Sequence, residues 1–124
     1  MNRWNAARIA FLFTAIMAAV FLQSCASTEI VVKTPELASL ADGTYRGSYD
    51  AGLVKATVDV AMTQGRIDKV IIVTHKCGLG KPAEVIVNDV VKKQSLDVDA
   101  ISGATRSSLV ILKAIEVALT RQQE

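Results

Sequence analysis

Between Val54 and Met62 the chain alternates without a break. Val54, Ala56, Val58, Val60 and Met62 fall on one side, and Lys55, Thr57 and Asp59 on the other. Successive side chains of a β-strand point to opposite faces, so this is a strand with one buried and one wet face. Such a strand belongs in an antiparallel sheet, because parallel strands are covered on both faces and read as continuous apolar runs. Thr63-Gln64-Gly65-Arg66 follows as a hairpin connection, with Gly65 supplying the positive φ of such turns. The return strand, Ile67 to His75, contains Val70-Ile71-Ile72-Val73, apolar on both faces, which predicts a central strand covered by helices on one side. Upstream, Asp42-Gly43 signals a turn before a short strand from Thr44 to Tyr49 that shows Tyr45 and Tyr49 on one face; Asp50-Ala51-Gly52 turns the chain again.

The second half changes period. Lys76 to Lys81 is a glycine-containing loop, and Pro82 suits the first position of a helix. Ala83, Ile86, Val87 and Val90 make a helical stripe over Ala83 to Lys93, but the β-branched Val85-Ile86-Val87 and Val90-Val91 would serve a strand equally well. The last helix is expected from Ala104 to Gln122, with Leu109, Leu112, Ile115, Val117 and Leu119 as its apolar face and Lys113 and Glu116 paired on the wet side. The sum is a small α+β domain: an antiparallel sheet with helices packed on it and a long C-terminal helix.

The first residues have the form of an export signal. Arg3 and Arg8 give a positive start, and the uncharged run from Ile9 to Leu22 is too short to cross a bilayer comfortably. Leu22-Gln23-Ser24-Cys25 then resembles a bacterial lipobox, which implies lipidation of Cys25 as the mature N-terminus. Several acyl chains on one residue hold a protein stably at a membrane. Ala26 follows, where an Asp would mark retention at the inner membrane, so the periplasmic face of the outer membrane is favoured in a two-membrane host. The divisions are residues 1–24 as signal, 25–40 as lipidated tether and 41–124 as the domain. Without Arg3 and Arg8, 12 basic residues face 12 acidic ones. A net charge of zero and the lack of a basic stripe argue against a nucleic-acid partner. With Cys25 acylated, Cys77 has no partner for a disulfide.

Asp99-Ala100-Ile101-Ser102-Gly103-Ala104-Thr105-Arg106-Ser107-Ser108 stands at the mouth of the last helix. A helix start presents unpaired N–H groups and the positive end of the helix dipole, and so favours an anion such as a phosphate. Gly103 and Ala104 allow close approach to the backbone, and Thr105 puts a hydroxyl in the first turn. The plain alternative is a capping sequence, with Ser102 or Thr105 accepting a bond from a first-turn N–H.

The same residues resemble the flavinylation motif of the FMN-binding domain family, which also occurs in extracytoplasmic subunits of the sodium-pumping NADH:quinone reductase and the Rnf complex. The family pattern is Asp, a small residue, any residue, Ser or Thr, Gly, Ala, Thr, any residue, then Ser or Thr. Asp99, Ala100, Ser102, Gly103, Ala104, Thr105 and Ser107 fit it, and Arg106 fills a variable position where it could screen a phosphate. The resemblance covers roughly the last two-thirds of the chain. It favours helix over strand for Ala83 to Lys93. It implies FMN joined through its phosphate to Thr105 by a flavin transferase that recognises Asp99 and Ser107. It also implies an electron-transfer carrier between a donor and an acceptor that the residues do not identify.

His75 is the single histidine, two residues before Cys77, and no further His or Cys completes a metal site or a catalytic pair. Gly78 and Gly80 either bring the loop from His75 to Gly80 against the flavin ring or only shape a strand-to-helix turn. No dinucleotide fingerprint and no general acid–base pair is present, which disfavours an enzyme with its own substrate. Three alternatives stand beside the covalent carrier: a noncovalent FMN binder, a redox-silent envelope lipoprotein acting as a binding module, and a flavin-dependent reductase.

Overall fold

The computed structural model describes residues 28–121. Three antiparallel strands form one sheet in the order β1-β2-β3, with β1 at Gly43–Asp50, β2 at Lys55–Thr63 and β3 at Arg66–Lys76. The alternating segment is β2, the middle strand. Ala56, Val58, Val60 and Met62 are buried, while Lys55 and Thr63 at its ends are exposed. At the β2–β3 turn Gln64 and Gly65 have φ of 51° and 71°, the paired left-handed residues of a tight hairpin. Two helices, α1 at Ile86–Lys93 and α2 at Thr105–Thr120, cover the sheet, α2 over β1 and β2 and α1 against β3. The fold is α+β, as expected.

β3 is not the central strand its apolar run predicts; it is an edge. Its pairing with β2 slips twice, leaving Asp68 and Val73 without partners. Each extra residue reverses the in–out phase of the strand. Ile67, Val70, Ile72 and the His75 side chain therefore face the helices, whereas Ile71 and Val73 are 47% and 42% exposed. Between the slips the run keeps strict alternation, and it reads as apolar on both faces because Ile71 and Val73 stand on the open side of the sheet, which no helix covers.

The segment after β3 is helical, but it enters as a 3-10 turn, Lys81–Val85, with Pro82 at its start, and becomes α-helical only at Ile86. Proline and the β-branched residues that follow are poor partners for a regular first turn. Of the expected stripe, Ala83, Ile86 and Val90 are fully buried and Val87 is half-buried against the core. Gln94 ends α1 in the left-handed region, and its side-chain amide works across the gap. It donates to the carbonyls of Val91 (2.6 Å) and Ile67 (2.8 Å) and accepts from the Ile67 N–H (2.8 Å).

The buried face of α2 is broader than the large residues alone suggest. Val110, Ile111, Leu112, Ala114, Ile115, Ala118 and Leu119 are buried, while Leu109 and Val117 are only half-buried. The small residues matter because β1 meets the helix backbone to backbone. A Cβ added at Gly47 would lie 2.2 Å from the Ala114 carbonyl oxygen and 2.4 Å from the Ala118 nitrogen. Lys113 and Glu116 are not on a wet face either. They pair at 2.9 Å beneath the N-terminal segment, where Lys113 Nζ donates to the Val31 carbonyl and the Lys33 N–H to Glu116 Oε2. Ile30 and Val32 pack on the core, and a short 3-10 turn spans Leu37–Ser39. The segment read as a tether thus adheres to the domain from Ile30 onward. The export signal, Cys25 and Gln122 lie outside the described residues.

On the open face Arg46 and Asp59, directly opposite across β1 and β2, make a two-pronged bond of 2.6 and 2.7 Å. The bond and charge of Arg46 hold the Asp59 carboxyl below the usual carboxylate range. On the covered face, Tyr49, Ala56 and His75 form one row across all three strands. That row marks the end of the sheet where α2 begins, since Arg106 Nη2 donates to the carbonyl of Ala51, just past β1 (3.1 Å).

Candidate functional site

The entrance to α2 is a tight turn from Ile101 to Ala104, closed by a bond from the Ala104 N–H to the Ile101 carbonyl (2.9 Å). Gly103 permits it with φ of 78°, and the space where a side chain would stand is open. Ser108 latches the turn from inside. Its Oγ accepts from the Ile101 N–H and donates to the Ala104 carbonyl, both at 2.9 Å. No side chain caps the helix, so neither Ser102 nor Thr105 acts as the ordinary cap. The N–H groups of the first turn ahead of Ser108 have no intrahelical acceptor, and that turn carries no acidic residue. Thr105 and Ser102 are exposed, and the Thr105 hydroxyl makes no hydrogen bond among the described residues. A free hydroxyl therefore sits at the positive end of a helix whose first-turn amides no side chain caps.

The loop after β3 closes on this entrance. A bond from the Gly80 N–H to the Cys77 carbonyl (2.7 Å) folds it, and Gly78 adopts φ of 49°. A Cβ at Gly80 would stand 1.8 Å from Ser107 Oγ and 2.7 Å from Ser107 Cβ, so Gly80 rests directly on the first turn of α2. Ser107 is only 3% exposed as a result. Leu79, at the tip, is 96% exposed. His75, near the end of β3, has a side chain 1% exposed, its Nδ1 3.1 Å from Glu84 Oε1 and its Nε2 buried without a partner.

Thr105, Ser102, Gly103, Ala104, Ser107, Gly78, Gly80 and His75 thus gather at one end of the molecule. Asp99 is exposed and turns elsewhere, bordering a surface groove along α1 with Asp89, Lys92 and Lys93. Arg106 spends its guanidinium on the β1–β2 turn. Cys77 is half-buried beyond the end of β3 and does not pair with His75. Three contributors had not been singled out. Glu84 orients His75, Ser108 latches the turn, and the slip at Val73 sets the direction of His75 relative to Ile72. Ser108 was legible as the second of two serines in the first turn; the slip leaves no mark in the residue pattern.

Residues 51–120 match the model of a family described as FMN-binding domain. A protein of Treponema pallidum (strain Nichols), described as an uncharacterized protein, is 34% identical over 89 residues, covering 69% of this chain and 25% of its own. The chain spans about a quarter of that relative's length. No solved structure matches it.

Proposed function

The chain belongs to the FMN-binding domain family, and from that premise we propose that it carries FMN as a phosphoester on Thr105 and relays electrons outside the cytoplasm. The entrance to α2 is the observation that carries this reading: an exposed, unbonded threonine hydroxyl beside first-turn amides that no side chain caps. The residues present fit the group. The first-turn amides can bind the phosphate, Gly103 leaves room for it, and the orphaned His75 Nε2 awaits a polar partner.

Bound FMN supplies one- and two-electron redox chemistry. Everything else falls to the chain. Ser102 and Gly103 form the turn that presents Thr105, and the Gly78-to-Gly80 loop flanks it. The role is that of an electron-transfer flavoprotein rather than an enzyme with its own substrate, receiving electrons from one partner and passing them to another. Asp99, being exposed, is open to a flavin transferase, whereas Ser107 is reachable only while the Gly80 loop is lifted.

The test is to produce the chain with an exported flavin transferase, denature it and separate it by size. A fluorescent flavin band in the wild type and none in Thr105→Ala is expected. A band of equal strength in both would refute Thr105 as the attachment point, and a yellow native protein that loses its colour on denaturation would make the binding noncovalent. Anchoring through a lipid on Cys25, at the periplasmic face of an outer membrane, is the second part of the proposal. It rests on Arg3, Arg8 and the Leu22-to-Cys25 motif. Cys25→Ser should move the protein from the membrane to the soluble fraction; retention at the membrane would contradict the anchor.

A further inference from the structure

We propose that His75, oriented by Glu84, is the proton acceptor for the redox group carried at Thr105: its Nε2 takes up a proton when that group gains electrons. The assignment rests on the FMN reading above. It starts from an imbalance in the hydrogen bonding. The His75 side chain is 1% exposed, yet only Nδ1 has a partner, Glu84 Oε1 at 3.1 Å, and Nε2 has none. Buried polar atoms are normally satisfied, so one left open at the end of the sheet that leads into the Gly80 loop needs a reason. A carboxylate can only accept, so whenever the ring is neutral this contact places its hydrogen on Nδ1 and the lone pair on Nε2. The pair has the build of an oriented base. Glu84 selects the tautomer and is in place to balance the imidazolium that protonation would create.

The position agrees with that chemistry. The extra residue at Val73 turns His75 to the helix-covered side, in the same row as Ala56 and Tyr49, at the end of the sheet where α2 begins. Slips of this kind commonly re-aim one side chain beside a site. The loop that leaves His75 carries Gly80, which rests on Ser107, two residues beyond Thr105. Of the other charged groups at this end, Arg106 donates to the Ala51 carbonyl and, like Lys81, is exposed. Asp50 is bonded to Lys55 (2.5 Å), and Lys76 stands opposite Lys55 on the outer side. Glu84 is the one carboxylate bonded to the imidazole.

Two electrons come from a chemical or protein reductant and two protons from water. One proton stays with the carried group and the other binds His75 Nε2, so the reduced site gains no net charge. Oxidation by the acceptor returns both protons to water.

A chain with one histidine makes the test direct. The full chain, loaded with FMN by a flavin transferase and labelled with ¹⁵N at histidine, is recorded at one fixed pH before and after anaerobic reduction with dithionite. The oxidised protein should show a neutral ring with hydrogen on Nδ1, and the reduced protein an imidazolium. Proton uptake, followed with an indicator in weak buffer, should be ~2 per two electrons in the wild type and ~1 in His75→Gln. Glu84→Gln should lessen the protonation of His75 on reduction, a loss that a purely structural pair would not show. FMN content is measured before reduction. A chain that takes up no FMN overturns the underlying reading and this assignment together. A loaded chain whose His75 stays neutral on reduction overturns the assignment alone, and that spectrum needs no variant to fold.

Discussion

Gly80→Ala is the substitution that best probes how the loop and the helix entrance fit together. Gly80 has φ of −83° and ψ of 6°, a conformation alanine adopts without strain, so any effect is steric. The new Cβ would meet Ser107 Oγ at 1.8 Å, Ser107 Cβ at 2.7 Å and the Cys77 carbonyl oxygen at 3.1 Å. The hydroxyl can rotate away, but the Ser107 Cβ is fixed to the α2 backbone. Carbon atoms pack at about 3.5–4.0 Å, so the loop has to lift by roughly 1 Å. Overpacking of this size costs about 2 kcal/mol, which lowers the melting temperature of a domain of this size by roughly 8–16 °C. Thermal unfolding followed by circular dichroism reads the first effect, and FMN per chain after expression with a flavin transferase reads the second, which should also fall. Ser107→Gly removes both clashing atoms. It costs about 1 kcal/mol alone as a helical glycine, but in the Gly80→Ala background it should restore stability, a coupling of about 1–2 kcal/mol. If Gly80→Ala melts within about 2 °C of the wild type and keeps its FMN, the contact between loop and helix start is not what holds the site together.

Two further perturbations separate the sheet from the site. Gly47→Ala places a Cβ 2.2 Å from the Ala114 carbonyl oxygen and 2.4 Å from the Ala118 nitrogen, helix backbone that no rotamer change relieves. A loss of about 3 kcal/mol or more in urea unfolding is expected, and an unchanged midpoint would show that α2 does not lie so close to β1. Asp59→Asn tests the open face. The carboxyl is held below its usual range by Arg46, so its contribution to stability is full above the unfolded value of about 3.9 and fades as pH falls through the lower, folded one. The difference between wild type and variant should be constant at neutral pH and vanish in acid; a difference that grows on acidification would reverse the assignment.

Much of the architecture was legible because β2 keeps strict period and the hairpin carries its glycine. Gly65 did adopt the positive φ its place required, and the Ala83–Ile86–Val90 stripe was buried as expected. What failed did so for identifiable reasons. Val70-Ile71-Ile72-Val73 suggested a central strand in what is an edge, because Ile71 and Val73 are apolar residues on the open face of the sheet. Counting large apolar residues on α2 missed Ala114 and Ala118, whose small size is the reason the helix can approach Gly47. The pairing of Lys113 with Glu116 was readable from their spacing, but not the segment from Ile30 to Thr34 that covers them. At the site, residue types pointed to the entrance of α2. Its lack of a side-chain cap, the burial of Ser107 and the single bond of His75 depend on contacts between distant parts of the chain, which local pattern does not record.

The claim on which the rest depends is that Thr105 bears the cofactor. The most direct measurement is the intact mass of the denatured chain made with an exported flavin transferase, beside Thr105→Ala, followed by peptide mapping of the modified species. The account predicts a wild-type mass raised by one FMN less one water, with the addition on the peptide containing Thr105 and none in the variant. Equal, unmodified masses in both, from cells that flavinylate a control protein, would contradict it.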